Sequence, residues 1–286
     1  MARAAIDIGT NSMRLLVVDD TGEDLVRVAR VTGLGRGVDA NRRLDEDAIL
    51  RTLDVFDEFR RLCERHGAER RRAVATSATR DASNREEFLD RSETALGVRP
   101  HMISGMEEAE LAFAGAARGR DGDLIVVDIG GGSTEFVYRT DRIQAVSIDI
   151  GSVRLTDRLL PVRPVSSESV ETAIEHVAGL FQEVELPDGI SVIGVAGTWT
   201  SLAGIARERS GSVHDEKLDR AIIDRLVVRL AGLTVEETAA LPGLDPARAP
   251  VILAGAVIAR EAMRRLDAIS VTVSERDLLD GVVAGL

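Results

Sequence analysis

Alternation of apolar and polar residues predicts two adjacent strands near the start of the chain, residues 3–8 (RAAIDI) and 13–19 (MRLLVVD). The short turn GTNS joins them, and a third strand is expected at 25–32. From Asp45 to His66 the period changes. Ile49, Leu53, Phe56, Phe59 and Leu62 recur at helical spacing, and Gly67 ends the run. A strand at 72–77 follows, and its last residues run into a loop of small polar side chains. The next helix opens at Asn84, which suits an N-cap, and closes at Gly97. A strand at 98–103 then leads through a Ser-Gly break into a helix at 105–117.

The opening pattern then recurs. Residues 124–151 read as strand, glycine turn, strand, turn and strand. Asp7-Ile8-Gly9-Thr10-Asn11-Ser12 lies over Asp128-Ile129-Gly130-Gly131-Gly132-Ser133. Duplication at so long an interval indicates two related half-molecules and not a short-period solenoid. Helices are expected at 166–184, 217–231 and 246–266, with strands at 191–197 and 268–274 and a short closing helix. The helix at 246–266 is apolar on most faces up to Ala259, so it should be buried. The predicted class is α/β with two domains, 1–115 and 116–286, and residues 119–123 (GRDGD) have the composition of a hinge.

Composition narrows the function. With 286 residues, 44% hydrophobic and 29% charged, the chain can fill two cores, which excludes general disorder. A net charge of −12 excludes a surface built for nucleic acid. It leaves room for a small anion held by local donors. Lys217 is the only lysine, so nearly all positive charge is arginine, which coding bias explains. Cys63 sits in a helical pattern and reads as core. The four histidines form no paired spacing, which excludes a zinc site. No signal-like segment opens the chain and no apolar run could span a bilayer, so the expectation is a cytoplasmic protein without membrane partners.

The two Asp-Ile-Gly turns are the strongest chemical signal. Glycine lets backbone N–H groups turn toward an anion, and such a nest binds phosphate without side-chain charge. Gly9, Thr10, Asn11 and Ser12 form one candidate phosphate loop, and Gly130, Gly131, Gly132 and Ser133 the other. Asp7, Asp128 and Glu135 lie beside them. Carboxylates next to phosphate imply a hard cation between, Mg²⁺ with Mn²⁺ as the alternative, although Asp7 also suits a turn-capping role. Glu107 and Glu108 form a second acidic pair, one a candidate general base and the other a solvated helix-start charge. Arg14 and Arg80 adjoin the loops and suit phosphate clamping.

The segments IDIGTNSMRLLV, VATSATRDASN, ISGMEEAEL, VVDIGGGSTEFV, IDIGSVRLT and GVAGTWTSLAGIA occur in this order. Together they resemble the exopolyphosphatase/guanosine pentaphosphate phosphohydrolase family, nearly end to end. The resemblance implies two actin-like domains with an active site in the cleft between them. It implies Glu108 as the water-activating base, with Glu107 as fallback, Asp128 and Glu135 at the Mg²⁺ site, and Arg80 facing phosphate. The implied substrate is inorganic polyphosphate, with guanosine penta- or tetraphosphate as the alternative. A short form without the family's C-terminal helical extension is expected, and a homodimer is one assembly open to it. Two departures stand out. Ala196 replaces a family glycine in GVAGT, and Leu279 stands where the pattern carries arginine.

Overall fold

The computed structural model describes residues 1–139, 142–187 and 189–286, in two compact units. The first comprises Met1–Gly115 together with Leu278–Leu286, and the second Ala116–Asp277. The sequence reading kept everything from residue 116 onward in one half, whereas the closing residues return to the first unit. Among the described residues no helix is long and apolar enough to cross a membrane.

In the first unit β1 (Arg3–Ile8), β2 (Ser12–Val18), β3 (Asp24–Val31), β4 (Arg70–Ala75) and β5 (His101–Met102) form a sheet in the order β3-β2-β1-β4-β5. The hairpin strands β1 and β2 pair antiparallel with Asp7 opposite Arg14, and β4 joins β1 in parallel. Because side chains alternate, each strand feeds two faces. Ile6, Ile8, Met13 and Leu15 meet Phe56, Phe59 and Phe88 from the helices Glu46–Arg65 and Arg85–Leu96. Ala5, Leu16, Val18 and Val74 face the other way, onto Ala112, Leu278 and Val282. This second face explains the return of the chain. It is apolar and needs the helix Leu278–Ala284 as its cover, which period-two patterning in the strands cannot reveal. The cover is tight, since a Cβ on Gly281 would lie 2.1 Å from the Leu111 carbonyl oxygen.

The second unit repeats the scheme with β6 (Leu124–Ile129), β7 (Thr134–Arg139), β8 (Ile143–Ile148), β9 (Ser191–Val195), β10 (Lys217–Asp219) and β11 (Ser270–Val273). Their order is β10-β11-β9-β6-β7-β8. Read from β8, it matches the first sheet strand for strand and adds β10 at the far edge. The turn expected between β7 and β8 includes Thr140 and Asp141, which lie outside the described residues. Ile125, Val127 and Phe136 pack with Phe181, Trp199 and the buried helix Ile252–Arg265. Trp199 donates from Nε1 to the Val127 carbonyl at 3.0 Å.

Several local expectations need correction. The small polar stretch after β4 is a helix, Ser77–Asp81, too short to show a period. Asn84 begins the next helix, but its side chain does not cap it. It instead accepts from the Leu44 N–H at 2.9 Å and donates to the Leu44 carbonyl at 3.1 Å. The helices Ser152–Leu159 and Ala196–Arg207 fall outside the expected elements, the first because it is only eight residues long and the second because its small residues draw no apolar stripe. The segment 246–266 divides into a 3₁₀ turn, Pro246–Arg248, and the long buried helix. Residues 217–219, expected to open a helix, are the edge strand β10.

Candidate functional site

In the first unit the glycine turn is closed by the Gly9 N–H donating to the Ser12 carbonyl at 3.2 Å. A second loop straps it from behind. The N–H groups of Thr32 and Gly33 both reach the Asn11 carbonyl at 3.0 Å, and that of Gly35 reaches the Thr10 carbonyl at 2.7 Å. Gly35 has to be glycine, since a Cβ there would fall 2.2 Å from the Thr10 methyl. Thr10, Asn11 and Ser12 are all buried. Both polar side-chain atoms of Asn11, the Ser12 hydroxyl and the Thr79 hydroxyl are buried without a hydrogen-bond partner. Such groups normally find partners, so four orphaned atoms near one turn mark a place built for a polar ligand.

Period-two geometry puts Asp7 and Arg14 on the same sheet face as Ala5 and Leu16. The helix Gly105–Ala116, which carries Glu108, contributes Ala112 to the core on that face. Asp7 accepts from Arg14 Nε at 2.7 Å and forms an ion pair with its Nη2 at the same distance. Arg80 lies in the last turn of the short helix after β4, and its Nη1 donates to the Ile103 carbonyl at 2.8 Å and to Glu108 Oε2 at 2.9 Å. Burial pushes the Glu108 carboxyl up to about 7, although the Arg80 guanidinium pulls it back. The Asp7 charge raises it further and Arg14 lowers it. Glu107, one residue earlier, does something different. Its carboxylate accepts from the backbone and hydroxyl of Ser104, at 2.8 and 3.0 Å, and closes the start of the helix. Those bonds hold it below its ordinary value.

The second unit builds the same turn with different chemistry. The Gly130 N–H donates to the Ser133 carbonyl at 3.0 Å. The strap is now the start of the helix Ser152–Leu159. Ser152 and Val153 N–H groups reach the Gly130 and Gly131 carbonyls at 2.9 and 2.8 Å, and Arg154 Nε reaches the Gly132 carbonyl at 2.8 Å. Gly151 permits this approach, because a Cβ there would come within 2.4 Å of the Gly131 backbone. Asp128 and Glu135 stand directly across the β6–β7 hairpin on one face, 5% and 1% exposed. Glu135 accepts from the Ser147 hydroxyl at 2.8 Å.

Two nearly buried carboxylates stand in register, and carboxylate oxygens are the donors that a hard divalent cation takes. No group of three or more His, Cys, Asp or Glu side chains able to hold a metal occurs among the described residues. A Mg²⁺-type ion does not need one, since it takes one or two carboxylates and completes its shell with water and phosphate. The Asp128–Glu135 pair fits that donor set. Asp7 is differently placed, in an ion pair with arginine.

Ser147, Ser152, Arg154 and Thr79 escaped the sequence reading. The first could have been found from hairpin register, and the next two lie in the IDIGSVRLT segment. Ala196, the residue in place of a family glycine, has φ of 69° and so occupies a backbone region that favours glycine. Leu279, where an arginine was expected, is 2% exposed and part of the apolar core under the first sheet.

The Ppx/GppA phosphatase family model matches residues 17–286. The chain is 39% identical to "Exopolyphosphatase 2" of Mycobacterium tuberculosis over an alignment of 312 positions, covering 99% of this chain and 98% of that protein. Among solved structures, an exopolyphosphatase-like protein superposes with a TM-score of 0.93 at 34% identity, covering 99% of this chain and 98% of the other. A Ppx/GppA family member from Aquifex aeolicus gives a TM-score of 0.82 at 31% identity, covering 100% of this chain and 97% of that one. The duplicated pair of sheets is the actin-like architecture that the ordered motifs implied.

Proposed function

This chain belongs to the Ppx/GppA phosphatase family, and on that premise we propose that it is an exopolyphosphatase, releasing terminal orthophosphate from inorganic polyphosphate. The observation that carries the reading is Glu108, a carboxyl raised to about 7 and held at 2.9 Å by Arg80. A general base works best when its proton affinity lies near the working pH. In its ionised form Glu108 accepts a proton from water, and the oxygen so activated attacks the terminal phosphorus. The bond to the bridging oxygen breaks, and the shortened chain leaves as the anion.

The glycine turns supply backbone N–H groups to phosphate oxygens, and the Asn11 amide and Ser12 hydroxyl add side-chain donors. Arg80, which donates to Glu108, would share its guanidinium with an equatorial phosphate oxygen. Asp128 and Glu135 would hold Mg²⁺ or Mn²⁺, which when bound neutralises phosphate charge. Little covalent work remains for the protein, because phosphoryl transfer depends mainly on positioning and charge.

The test is Glu108→Gln. It keeps shape and hydrogen bonding but cannot take the proton, so phosphate release from polyphosphate should fall ~10²–10⁴-fold with unchanged polymer binding. Turnover like the parent's would remove Glu108 from the role. The same assay run with guanosine pentaphosphate beside polyphosphate decides which anhydride is preferred.

A further inference from the structure

A concave pocket of about 380 Å³ lies in the second unit, lined by Ala116, Arg118, Gly119, Arg120, His214, Asp215 and Arg276. None of these belongs to the turns, acids or strapping helices described above. In a chain of net charge −12, this pocket is lined by three arginines and a histidine against a single carboxylate. Its residues also flank both places where the chain passes between units, after Gly115 and after Asp277.

The donors are unevenly used. Arg120 is closed onto Asp215 in a short ion pair. On the first unit Arg27, Arg30, Arg91 and Arg99 are each likewise closed onto carboxylates. Arg118 and Arg276 form no ion pair with any described residue. His214 is oriented by its other nitrogen. Nδ1 accepts from the Glu275 N–H at 3.1 Å, so in the neutral ring the proton sits on Nε2. That nitrogen lies 3.7 Å from Asp215 Oδ2. Asp215 itself has a left-handed backbone, φ 62°, fixed by its N–H donating to the Val273 carbonyl at 2.8 Å. Its carboxyl is held below the ordinary value, first by Arg120 and then by the charges of His214 and Arg276. The pocket thus already stabilises one internal anion, with Arg118 and Arg276 outside any ion pair among the described residues and exposed at its wall.

We propose that this pocket is a second anion site, which takes a small phosphorylated ligand of the pyrophosphate class. Arg118, Arg276 and His214 Nε2 supply the donors, and Asp215 keeps Arg120 in place. Guanidinium groups suit phosphate because their paired N–H bonds match its oxygens. The volume falls within the range that holds a small molecule, and a diphosphate fits without needing apolar walls.

The experiment follows the His214 imidazole by NMR while inorganic pyrophosphate is added to the full chain, with the signal assigned through His214→Gln. His214 should shift and saturate, and the Arg118→Ala/Arg276→Ala variant should need at least ~10-fold more pyrophosphate for the same shift. Both arginines are exposed, so the variant should keep its melting temperature and its phosphatase turnover. A His214 signal that ignores pyrophosphate, or that shifts identically in the double variant, overturns the proposal. Because the readout is local to His214, neither result depends on whether the chain cleaves polyphosphate.

Discussion

The two halves of this molecule carry one turn built twice, and the residue opposite its aspartate separates their chemistry. Both turns close with the same hydrogen bond, Gly9 to Ser12 and Gly130 to Ser133. Both follow an Asp near the end of a central strand, in hairpins of identical register. Across from Asp7 stands Arg14, and the charge is neutralised inside the protein. Across from Asp128 stands a second carboxylate, Glu135. Burying charge costs desolvation in either case, and the two hairpins differ in the donor they set opposite the aspartate. One duplicated scaffold thereby yields a turn with an acid–base pair across its hairpin and another with two carboxylates, the donor type that suits a divalent cation.

The largest effect should come from the acid pair. If Asp128 and Glu135 hold the cation, Asp128→Asn should lower phosphate release by at least ~10²-fold and raise the Mg²⁺ concentration needed for half-maximal rate. Chelator should abolish activity of the parent. An enzyme fully active in excess chelator would leave the second turn's acids without the assigned role.

Stability should respond unequally at the two turns. Arg14→Leu leaves the Asp7 carboxylate, 3% exposed, without its guanidinium and should cost about 3–5 kcal/mol. Asp128→Asn keeps the side chain's shape and hydrogen-bonding capacity and, without metal, should cost less, below about 2 kcal/mol. Urea denaturation of both variants in chelator checks the contrast. Equal losses at the two turns would mean that the register partners do not govern the electrostatics.

How much of this was readable beforehand follows from the same physics. The hairpins show plainly in the sequence because alternation and glycine fall in phase, and the duplication follows from aligning Asp7 with Asp128. The choice between Glu107 and Glu108 was not readable. Adjacent helical residues point about 100° apart, and only the packed helix decides which one meets Arg80 and which one caps. The Asn84 side chain was misassigned for a related reason. Its partner Leu44 lies forty positions away, and local capping rules take no account of so distant a carbonyl. The helix Ala196–Arg207 carries Gly, Thr and Ser where an amphipathic stripe would show, since most of its residues are buried. The return of Leu278–Leu286 to the first unit depends on which face of β1 lacks a cover, a tertiary fact.

A subtler effect concerns the proton on Glu108. Its carboxyl is raised to about 7, so kcat/KM should fall as pH drops through about 7, where the base becomes protonated. Removing the Arg80 guanidinium takes away the main group favouring the anion. Arg80→Gln should therefore move the inflection upward, with a loss of about tenfold at pH 7 that more alkaline buffer partly restores. Folding obeys the same sign. The folded state holds this proton more tightly than an unfolded carboxyl of 4.5, so stability drains as pH rises from there through about 7. An inflection unmoved in Arg80→Gln would assign the titration to another group.

The smallest effect separates the two turns by sterics alone. A Cβ on Gly9 would lie 2.8 Å from the Ser12 carbonyl oxygen, closer than real contacts allow, so the backbone of the turn has to move. On Gly130 the corresponding distance to the Ser133 oxygen is 3.3 Å, and a displacement of a few tenths of an ångström suffices. Gly9→Ala should therefore lose roughly 1–3 kcal/mol, the usual penalty of overpacking. Gly130→Ala should lose less than about 1 kcal/mol, partly offset by the reduced freedom of its unfolded chain. Both turns are strapped from behind, the first at Thr10 and Asn11 and the second at Gly130, Gly131 and Gly132, so the closing contact is what distinguishes them. Matched melting curves of the two alanine variants decide the point. A Gly130→Ala loss as large as that of Gly9→Ala would show that the straps, and not the closing carbonyl, set how much room each turn has.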